Sequence, residues 1–179
     1  MSQTQTHPVR SPLSFDQLLV HGGAFWRNAL LLTAGDFAAG HYNTMTIGWG
    51  SLGIMWGKPF VQVVVRPTRY TFGFTEKYET FTVCALAEAH RSALQLLGTK
   101  SGRDGDKIAE SGLTPIASSV VAAPAFAEAK LILECRKIYW ADLDPAHFLD
   151  PTIQKSYPLR DYHRSYYGEV LAVLGTRSE

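Results

Sequence analysis

A polar cluster ahead of an apolar strand holds the first residues whose types and spacing could do chemistry. Its members are Asn43, Thr44, Met45 and Thr46. Amide and hydroxyl side chains can donate and accept the directional hydrogen bonds that a flat heterocycle with carbonyl and imide edges requires. Gly48 and Gly50 flank Trp49, and they indicate close approach of another group, because glycine in a strand otherwise weakens it. The cluster predicts a platform for a planar polar ring; taken alone, it is equally typical of a turn before a strand.

A second group of polar residues closes the apolar strand that follows. Its members are Arg66, Thr68, Arg69, Tyr70 and Thr71. Planar guanidinium groups make charge-assisted hydrogen bonds to phosphate oxygens. A helix is predicted over residues 71–78, and its free N–H groups and positive dipole end would add to these donors. A ring platform and an anion anchor joined by one strand predict a phosphorylated cofactor with a large ring.

A third segment, residues 100–107, contains Ser101, Gly102 and Lys107. Its composition alone is that of a charged, flexible loop before a helix. The three segments together resemble the flavin reductase-like, FMN-binding split-barrel family, which includes flavoredoxin. The resemblance extends over roughly residues 25–174. It departs at Gly105, where many members carry an apolar residue, so the start of the next helix is left open.

The resemblance implies FMN as the cofactor and a cofactor-binding role for residues of all three segments. These residues are Asn43, Thr44, Met45, Thr46, Arg66, Thr68, Arg69, Tyr70, Thr71, Ser101, Gly102 and Lys107. The first segment would line the isoalloxazine, the second would hold the phosphate, and the third would border the site, in some members from the other subunit. Two alternatives stay open here, because Arg69 could face solvent and Tyr70 could serve packing instead.

His163 is the remaining candidate for chemistry, as a proton donor or substrate contact, and a solvated loop histidine is the alternative. The other histidines show no metal-ligand spacing, and no G-x-S-x-G motif supports hydrolysis. The resemblance implies an NAD(P)H-dependent flavin reductase, with NADH or NADPH as electron donor and a monooxygenase or electron-transfer protein as a candidate partner. The alternatives are an FMN electron carrier reduced by a partner protein and, third, a barrel that has lost its cofactor.

Bulk properties narrow the remaining classes. The chain has 179 residues and a formal charge of +1, which gives no electrostatic footprint for nucleic acid or an anionic membrane. No segment has the apolar run of a signal peptide or bilayer span, so the expected location is the cytoplasm. Cys84 and Cys135 lie in strand-like segments and are expected to be small buried hydrophobes.

Short strands with turns between them and brief helices predict a mainly β fold, an antiparallel Greek-key-type split barrel with a few short peripheral helices. The predicted strands are 29–33, 45–51, 60–65, 80–86, 131–139 and 169–174, and the predicted helices are 14–19, 71–78, 90–97 and 104–110. Residues 1–13 are predicted to be a flexible tail and residues 14–179 a single domain. A homodimer is expected, because large aromatics cluster near the chain ends at Trp26, Trp140, Tyr162, Tyr166 and Tyr167.

Overall fold

The computed structural model describes Pro8, residues 10–20 and residues 29–176. In chain order, the first half contains β1 (Ser11–Pro12), α1 (Phe15–Val20), β2 (Leu30–Asp36), β3 (His41–Ile47), β4 (Gly50–Met55), β5 (Lys58–Val65), α2 (Tyr70–Lys77) and β6 (Thr80–Leu86). The second half contains α3 (Arg91–Thr99), α4 (Lys107–Ser111), β7 (Pro115–Ile116), β8 (Ala125–Phe126), β9 (Ala129–Asp142) and β10 (Arg164–Gly175). Short 3₁₀ helices lie at Glu88–His90, Pro145–His147 and Pro151–Ser156.

Antiparallel pairing joins the long strands into one sheet in the order β3-β2-β6-β9-β10-β5-β4, and β1 pairs with β10. The two ends of this order, β3 and β4, are consecutive in the chain and are separated by Gly48 and Trp49 alone. β3 also contacts β5, so the sheet curls until its ends approach each other. The predicted fold class, a mainly β split barrel with short peripheral helices, is confirmed.

The apolar run of β2 is buried on both faces of the sheet. Successive side chains of a strand point to opposite faces. Leu30 and Leu32 therefore join the barrel core with Leu133, while Leu31 packs with Leu97 of α3 on the outside. Because the barrel interior covers one face and the helical layer the other, this strand is continuously apolar rather than alternating.

The prediction of one strand over residues 45–51 is wrong. β3 ends at Ile47 and β4 begins at Gly50, so the chain crosses between the two sheet ends at Gly48 and Trp49. The pattern of apolar residues indicates which face of the sheet a side chain occupies. It does not indicate where one strand ends and the next begins at the other end of the sheet. The crossing leaves Trp49 half-exposed between two strands that flank the split.

A two-residue turn joins β4 and β5. The strands form a hairpin, and its two turn residues, Trp56 and Gly57, have positive φ angles of 54° and 69°. This backbone is the type I′ turn that suits the twist of two-residue hairpins. Trp56 is 61% exposed at the tip.

Two helices differ from their predicted bounds, and side chains cap the starts of α1 and α4. The backbone N–H of Gln17 donates to Ser14 Oγ at 3.2 Å, which makes Ser14 the N-cap of α1. α4 begins at Lys107, three residues later than predicted, because Asp106 accepts hydrogen bonds from the next turn. α3 continues through Gly98, which was predicted to stop it. A Cβ on Gly98 would lie 3.1 Å from that of Thr46, so glycine permits the close packing of α3 on β3.

The chain near its start is attached to the barrel from residue 10 onward. Arg10 Nη1 donates to the carbonyls of Ala127 and Ala129 at 2.6 and 2.7 Å, and β1 follows directly. Residues 1–7 and 9 of the predicted tail, and Trp26, lie outside the described residues. Among the described helices, none has the length and apolar character needed to cross a membrane.

Both cysteines are buried thiols, as predicted. Burial raises the pKa of Cys84 to about 12, and burial also raises the pKa of Cys135. A thiol with a raised pKa carries little thiolate at neutral pH, so neither residue has the character of a nucleophile.

Candidate functional site

The first part of the candidate site lies where α2 begins beside β3. Asn43 Nδ2 donates to Thr71 Oγ1 at 2.7 Å, although 28 residues separate them. Asn43, Tyr70, Gly102 and Lys107 line a cavity of about 540 Å³, here called the anchor cavity. All three segments singled out in the sequence therefore contribute to one cavity. Its volume lies within the range of small-molecule sites.

Gly102 is placed where no larger residue fits. A Cβ at this position would lie 2.5 Å from Asn43 Oδ1 and 2.7 Å from Tyr70 Cδ1. The segment after α3 therefore passes directly against the polar end of β3 and the first residue of α2. The neighbouring Ser101 accepts a hydrogen bond from the backbone N–H of Arg103 at 3.2 Å, which shapes the turn between α3 and α4.

Two cations converge at the carboxyl end of α3. Arg69 Nη2 donates to the Gly98 carbonyl at 2.7 Å, and Lys107 Nζ donates to the Leu97 carbonyl at 2.9 Å. Cations at a helix C-terminus are favourable, because the last carbonyls are unpaired and the dipole end is negative. Each side chain keeps further N–H donors beyond the one that it uses here.

The charge of this pair is not balanced within residues 29–176, where neither cation takes part in an ion pair. Burial and the nearby charge of Arg69 lower the pKa of Lys107 to about 8. Burial and the charge of Arg66 lower the pKa of Arg69. A bound anion would offset the repulsion that lowers the pKa of Arg69 and of Lys107.

The threonines of β3 face away from the anchor cavity. Thr44 is fully buried, accepts from Thr33 Oγ1 at 2.9 Å and donates to the Leu32 carbonyl at 3.1 Å. Thr46 Oγ1 donates to the Leu94 carbonyl of α3 at 2.5 Å. The Thr44 hydroxyl thus joins two strands, and the Thr46 hydroxyl joins β3 to α3. A ligand beside these two residues would therefore contact the main chain of β3 rather than their hydroxyls.

A second cavity lies at the split, further along β3. It has a volume of about 240 Å³, is here called the rim cavity, and is lined by Met45, Thr46, Ile47, Gly48, Trp49, Val64, Arg66, Arg69 and His163. Arg69 belongs to the rim cavity and also reaches the end of α3 beside Lys107. The rim cavity and the anchor cavity are therefore neighbours along one strand.

The structure places Arg66 and Thr68 apart from Thr71. Arg66 Nη1 donates to Asp161 Oδ1 at 2.6 Å, and Thr68 Oγ1 donates to the other oxygen of Asp161 at 3.2 Å. Arg66 Nη2 also donates to the Ser156 carbonyl at 2.7 Å. These bonds attach the segment before β10 to the end of β5. The predicted anion anchor is thus divided, with Thr71 buried against Asn43 and Arg66 at the rim cavity.

His163 is held by a neighbouring phenol. Tyr157 Oη lies 2.8 Å from His163 Nδ1, and the Trp49 ring centroid is 5.1 Å from that of His163. Burial and the charge of Arg66 lower the pKa of His163 to about 4, although Asp161 opposes this shift. His163 is therefore neutral at physiological pH and can present one ring nitrogen to the rim cavity as a hydrogen-bonding group.

Sequence reasoning missed two residues that build this end of the site. Tyr157 is 2% exposed and packs below the Arg66 guanidinium, which lies 4.8 Å from its ring centroid. Asp161 follows it and binds the same arginine. No local spacing marks Tyr157, because its partners are distant in sequence. The run from Asp161 to His163 was visible, and a carboxylate close to a candidate histidine could have drawn attention to it.

The two cavities fit a phosphorylated ring cofactor. Lys107 at the anchor cavity and Arg69 beside it form no ion pair within residues 29–176, which suits a phosphate, although the Asp106 carboxylate also lines this cavity. The rim cavity offers an exposed indole, a neutral imidazole and the guanidinium groups of Arg66 and Arg69. Positive charge beside both cavities and aromatic rings at the rim cavity are compatible with a flavin mononucleotide.

Comparison with known proteins agrees with this geometry. The chain belongs to the flavin reductase-like family, because the model of the flavin reductase like domain matches residues 23–175. A search of curated protein sequences gave no match.

Solved structures share the fold at low identity. An FMN-binding domain of a flavin reductase-like enzyme from Shewanella baltica has a TM-score of 0.70 and 19% identity, over 96% of this chain and 79% of that one. Flavoredoxin of Desulfovibrio vulgaris has a TM-score of 0.62 and 20% identity, over 97% and 75%. Nitrilotriacetate monooxygenase component B from Bacillus cereus has a TM-score of 0.66 and 16% identity, over 92% and 78%.

Proposed function

We propose that this protein binds FMN and passes electrons through it as an NAD(P)H-dependent flavin reductase. The observation that carries this proposal is the convergence of Arg69 and Lys107, without carboxylate partners among the described residues, beside a cavity lined by Asn43 and Gly102. Family membership supports it, since the structurally similar domain from Shewanella baltica is an FMN-binding one.

The phosphate is assigned to the anchor cavity and the isoalloxazine to the rim cavity. Asn43 and Thr46 are three residues apart on β3, or roughly 10 Å at the rise of a strand. A ribityl chain can span such a distance along the strand. Lys107 would hold the phosphate, Thr71 would position Asn43 through their hydrogen bond, and Ser101 would shape the adjacent turn. Met45 with Trp49 would border the ring. Arg66 would add its charge from the side of the rim cavity.

Bound FMN supplies the chemistry of accepting a hydride and releasing electrons, and the protein supplies position and electrostatics. Trp49 restricts water at one side of the rim cavity. His163, neutral and fixed through Nδ1 by Tyr157, offers its other ring nitrogen to the carbonyl edge of a ring or of a nicotinamide. NADH or NADPH is the proposed electron donor.

An FMN electron carrier reduced by a partner protein is the second candidate. It is favoured by the open rim cavity, where Trp49 is 51% exposed, and by the structural similarity to a flavoredoxin. Anaerobic mixing of the FMN-loaded protein with NADH or NADPH separates the two. Rapid bleaching of the flavin absorbance supports the reductase, and bleaching that requires a protein donor supports the carrier.

FMN rather than FAD is the proposed tight ligand. Lys107 lines the anchor cavity and Arg69 lies beside it at the end of α3, so the described residues offer one anion anchor near this cavity. Titration of the apoprotein with both flavins tests this assignment. Clearly tighter binding of FAD, or no uptake of either flavin, would contradict it.

A homodimer with the flavin near the subunit boundary is proposed as well. Trp56, Tyr139 and Trp140 are about half-exposed or more, and aromatics of this kind are enriched at interfaces. Tyr166, which the sequence grouped with them, is a core residue instead. The dimer is expected to bury well above about 2,000 Å². Light scattering that gives a monomer mass at full FMN occupancy would refute it.

A monooxygenase component is the proposed physiological partner, by analogy with the monooxygenase component B from Bacillus cereus. Released reduced flavin would then be the product that the partner consumes. A rate of flavin reduction that is unaffected by free FMN in solution would favour the electron-carrier function over a reductase that releases reduced flavin to a partner.

A further inference from the structure

A groove runs along one face of α2, outside the two cavities assigned to FMN. It has a volume of about 290 Å³ and is lined by His41, Pro67, Arg69, Tyr70, Phe72, Gly73, Phe74, Lys77 and Arg103. Tyr70, Phe74 and Lys77 are spaced by four and three residues, which places them on one helical face. The volume is at the lower end for ligand sites, so it suits one heterocycle with its sugar rather than a whole dinucleotide.

Aromatic rings in fixed orientations form the walls of this α2 groove. The rings of Tyr70 and Phe74 meet edge to face with centroids 5.3 Å apart. His41 stacks on Phe74 at 4.8 Å, and its Nδ1 lies 2.6 Å from Tyr78 Oη, which fixes the imidazole plane. Flat, preoriented rings of this kind are the surfaces on which nucleobases stack.

Cations stand at both ends of the α2 groove. Near the start of the helix, the Arg103 guanidinium lies 4.9 Å from the Tyr70 ring centroid and donates to the Thr68 carbonyl at 3.4 Å. At the far end, Lys77 Nζ lies 5.3 Å from the Tyr78 ring centroid. No carboxylate lines the groove, and within residues 29–176 neither cation forms an ion pair.

The separation of the two cations defines the ligand further. Residues 70 and 77 are seven apart, or roughly 10 Å along the helix axis. One phosphate cannot contact both ends, whereas a nucleoside that carries phosphates on two sides of its ribose can. Tyr70 and Phe74 line both the α2 groove and the anchor cavity, so a ligand in the groove would continue toward the FMN site.

We propose that the α2 groove binds the adenosine 2′,5′-bisphosphate half of NADPH. The adenine stacks against the exposed His41, whose ring Phe74 supports from the core side, Lys77 contacts the 2′-phosphate, and Arg103 contacts the pyrophosphate. The proposal rests on the proposed reductase function and narrows its electron donor, since NADH lacks the 2′-phosphate. It also adds Arg103 and Lys77 to the binding residues.

Calorimetric titration of the FMN-loaded protein with adenosine 2′,5′-bisphosphate and with 5′-AMP tests the proposal without any turnover. The bisphosphate is expected to bind at least about tenfold more tightly than AMP, the scale of one charge-assisted hydrogen bond. Arg103→Gln and Lys77→Gln should each weaken bisphosphate binding about tenfold by the same reasoning. Lys77→Gln should leave AMP binding nearly unchanged.

Arg91→Gln is the matched control, because Arg91 is an exposed cation outside the α2 groove that pairs with Glu88. Equal affinity for both nucleotides, or equal effects of the three variants, would overturn the proposal. So would loss of FMN absorbance in Arg103→Gln, because the groove would then belong to the flavin. A protein that takes up no FMN contradicts the proposed function instead, whichever nucleotide it binds.

Discussion

Arg66 and Asp161 form a close ion pair at 2.6 Å across 95 residues of sequence. Their side chains are 25% and 11% exposed, so the pair is better shielded from solvent than an ordinary surface contact. The pair attaches the segment that carries Tyr157 and His163 to the strand end beside the rim cavity. Arg66 can therefore serve the cofactor directly, or indirectly through this segment.

Arg66→Ala is expected to weaken FMN binding by roughly 1.5–3 kcal/mol, the usual scale for a charge-assisted bond. Asp161→Asn separates the direct contribution from the indirect one, because it breaks the ion pair and frees the guanidinium. If Arg66 contacts the cofactor directly, Asp161→Asn should leave FMN binding equal or tighter. Flavin titration of both variants, with thermal unfolding as a control, measures this. Similar losses in both variants would assign Arg66 a positioning role.

FMN affinity is expected to fall as pH rises through about 8, the lowered pKa of Lys107. The phosphate contact requires the protonated lysine. Above this pKa the lysine of the free protein is neutral and must take up a proton when FMN binds, which lowers the affinity. Lys107→Gln should bind FMN more weakly at pH 7 and lose this pH dependence. The unfolded lysine titrates near 10.5, so this residue also makes folding stability rise between about 8 and 10.5. Affinity in Lys107→Gln that keeps the wild-type profile would contradict the assignment.

His163 is expected to titrate near 4 rather than near 6.5 when its ring proton resonance is followed by NMR. Because the folded pKa lies below the unfolded one, the unfolded chain binds more protons between these values. This residue therefore contributes stability that is present above about 6.5 and lost as pH falls toward 4. Arg66→Ala should raise the midpoint and Asp161→Asn should lower it. An unchanged midpoint in both variants would show that burial alone sets the value.

Gly102→Ala is expected to abolish tight FMN binding, because the new methyl would lie 2.5 Å from Asn43 Oδ1 and force the segment away from β3. Overpacking of this kind costs about 1–3 kcal/mol of folding stability. Gly48→Ala is the matched control for stability, since a Cβ there meets nothing within 4 Å. Circular dichroism melts and flavin titration follow both variants. Normal FMN uptake by Gly102→Ala would show that this glycine is distant from the cofactor.

The sequence pattern predicted the regular strands correctly. The predictions failed where tertiary packing, rather than the local sequence, decides the structure. Residues 80–86 were predicted as a strand and form β6 with the same bounds, since their run of β-branched and aromatic residues has one interpretation. The helix was predicted to end at residue 97, yet α3 includes Gly98, where a Cβ would lie only 3.1 Å from that of Thr46. The sequence shows the glycine and does not show the neighbour that requires it.

The candidate site was predictable in composition and less so in arrangement. Asn43, Tyr70 and Gly102 came from three separate motifs, and all of them line the anchor cavity. The division of Arg66 from Thr71 was not foreseeable, because it depends on an acidic partner 95 residues away. The hydroxyl of Thr44 is used between strands, a pairing that follows from sheet register rather than from residue type.

The turn between β4 and β5 has a consequence for engineering the protein. Trp56 holds a left-handed backbone at φ 54°, where asparagine is favoured and a bulky side chain is strained. Trp56→Asn should therefore raise the unfolding free energy by about 1 kcal/mol, the strain of a left-handed residue. If the hairpin tip is part of the proposed dimer, the same change should weaken assembly. Stability and association would then be opposing selection pressures on one residue.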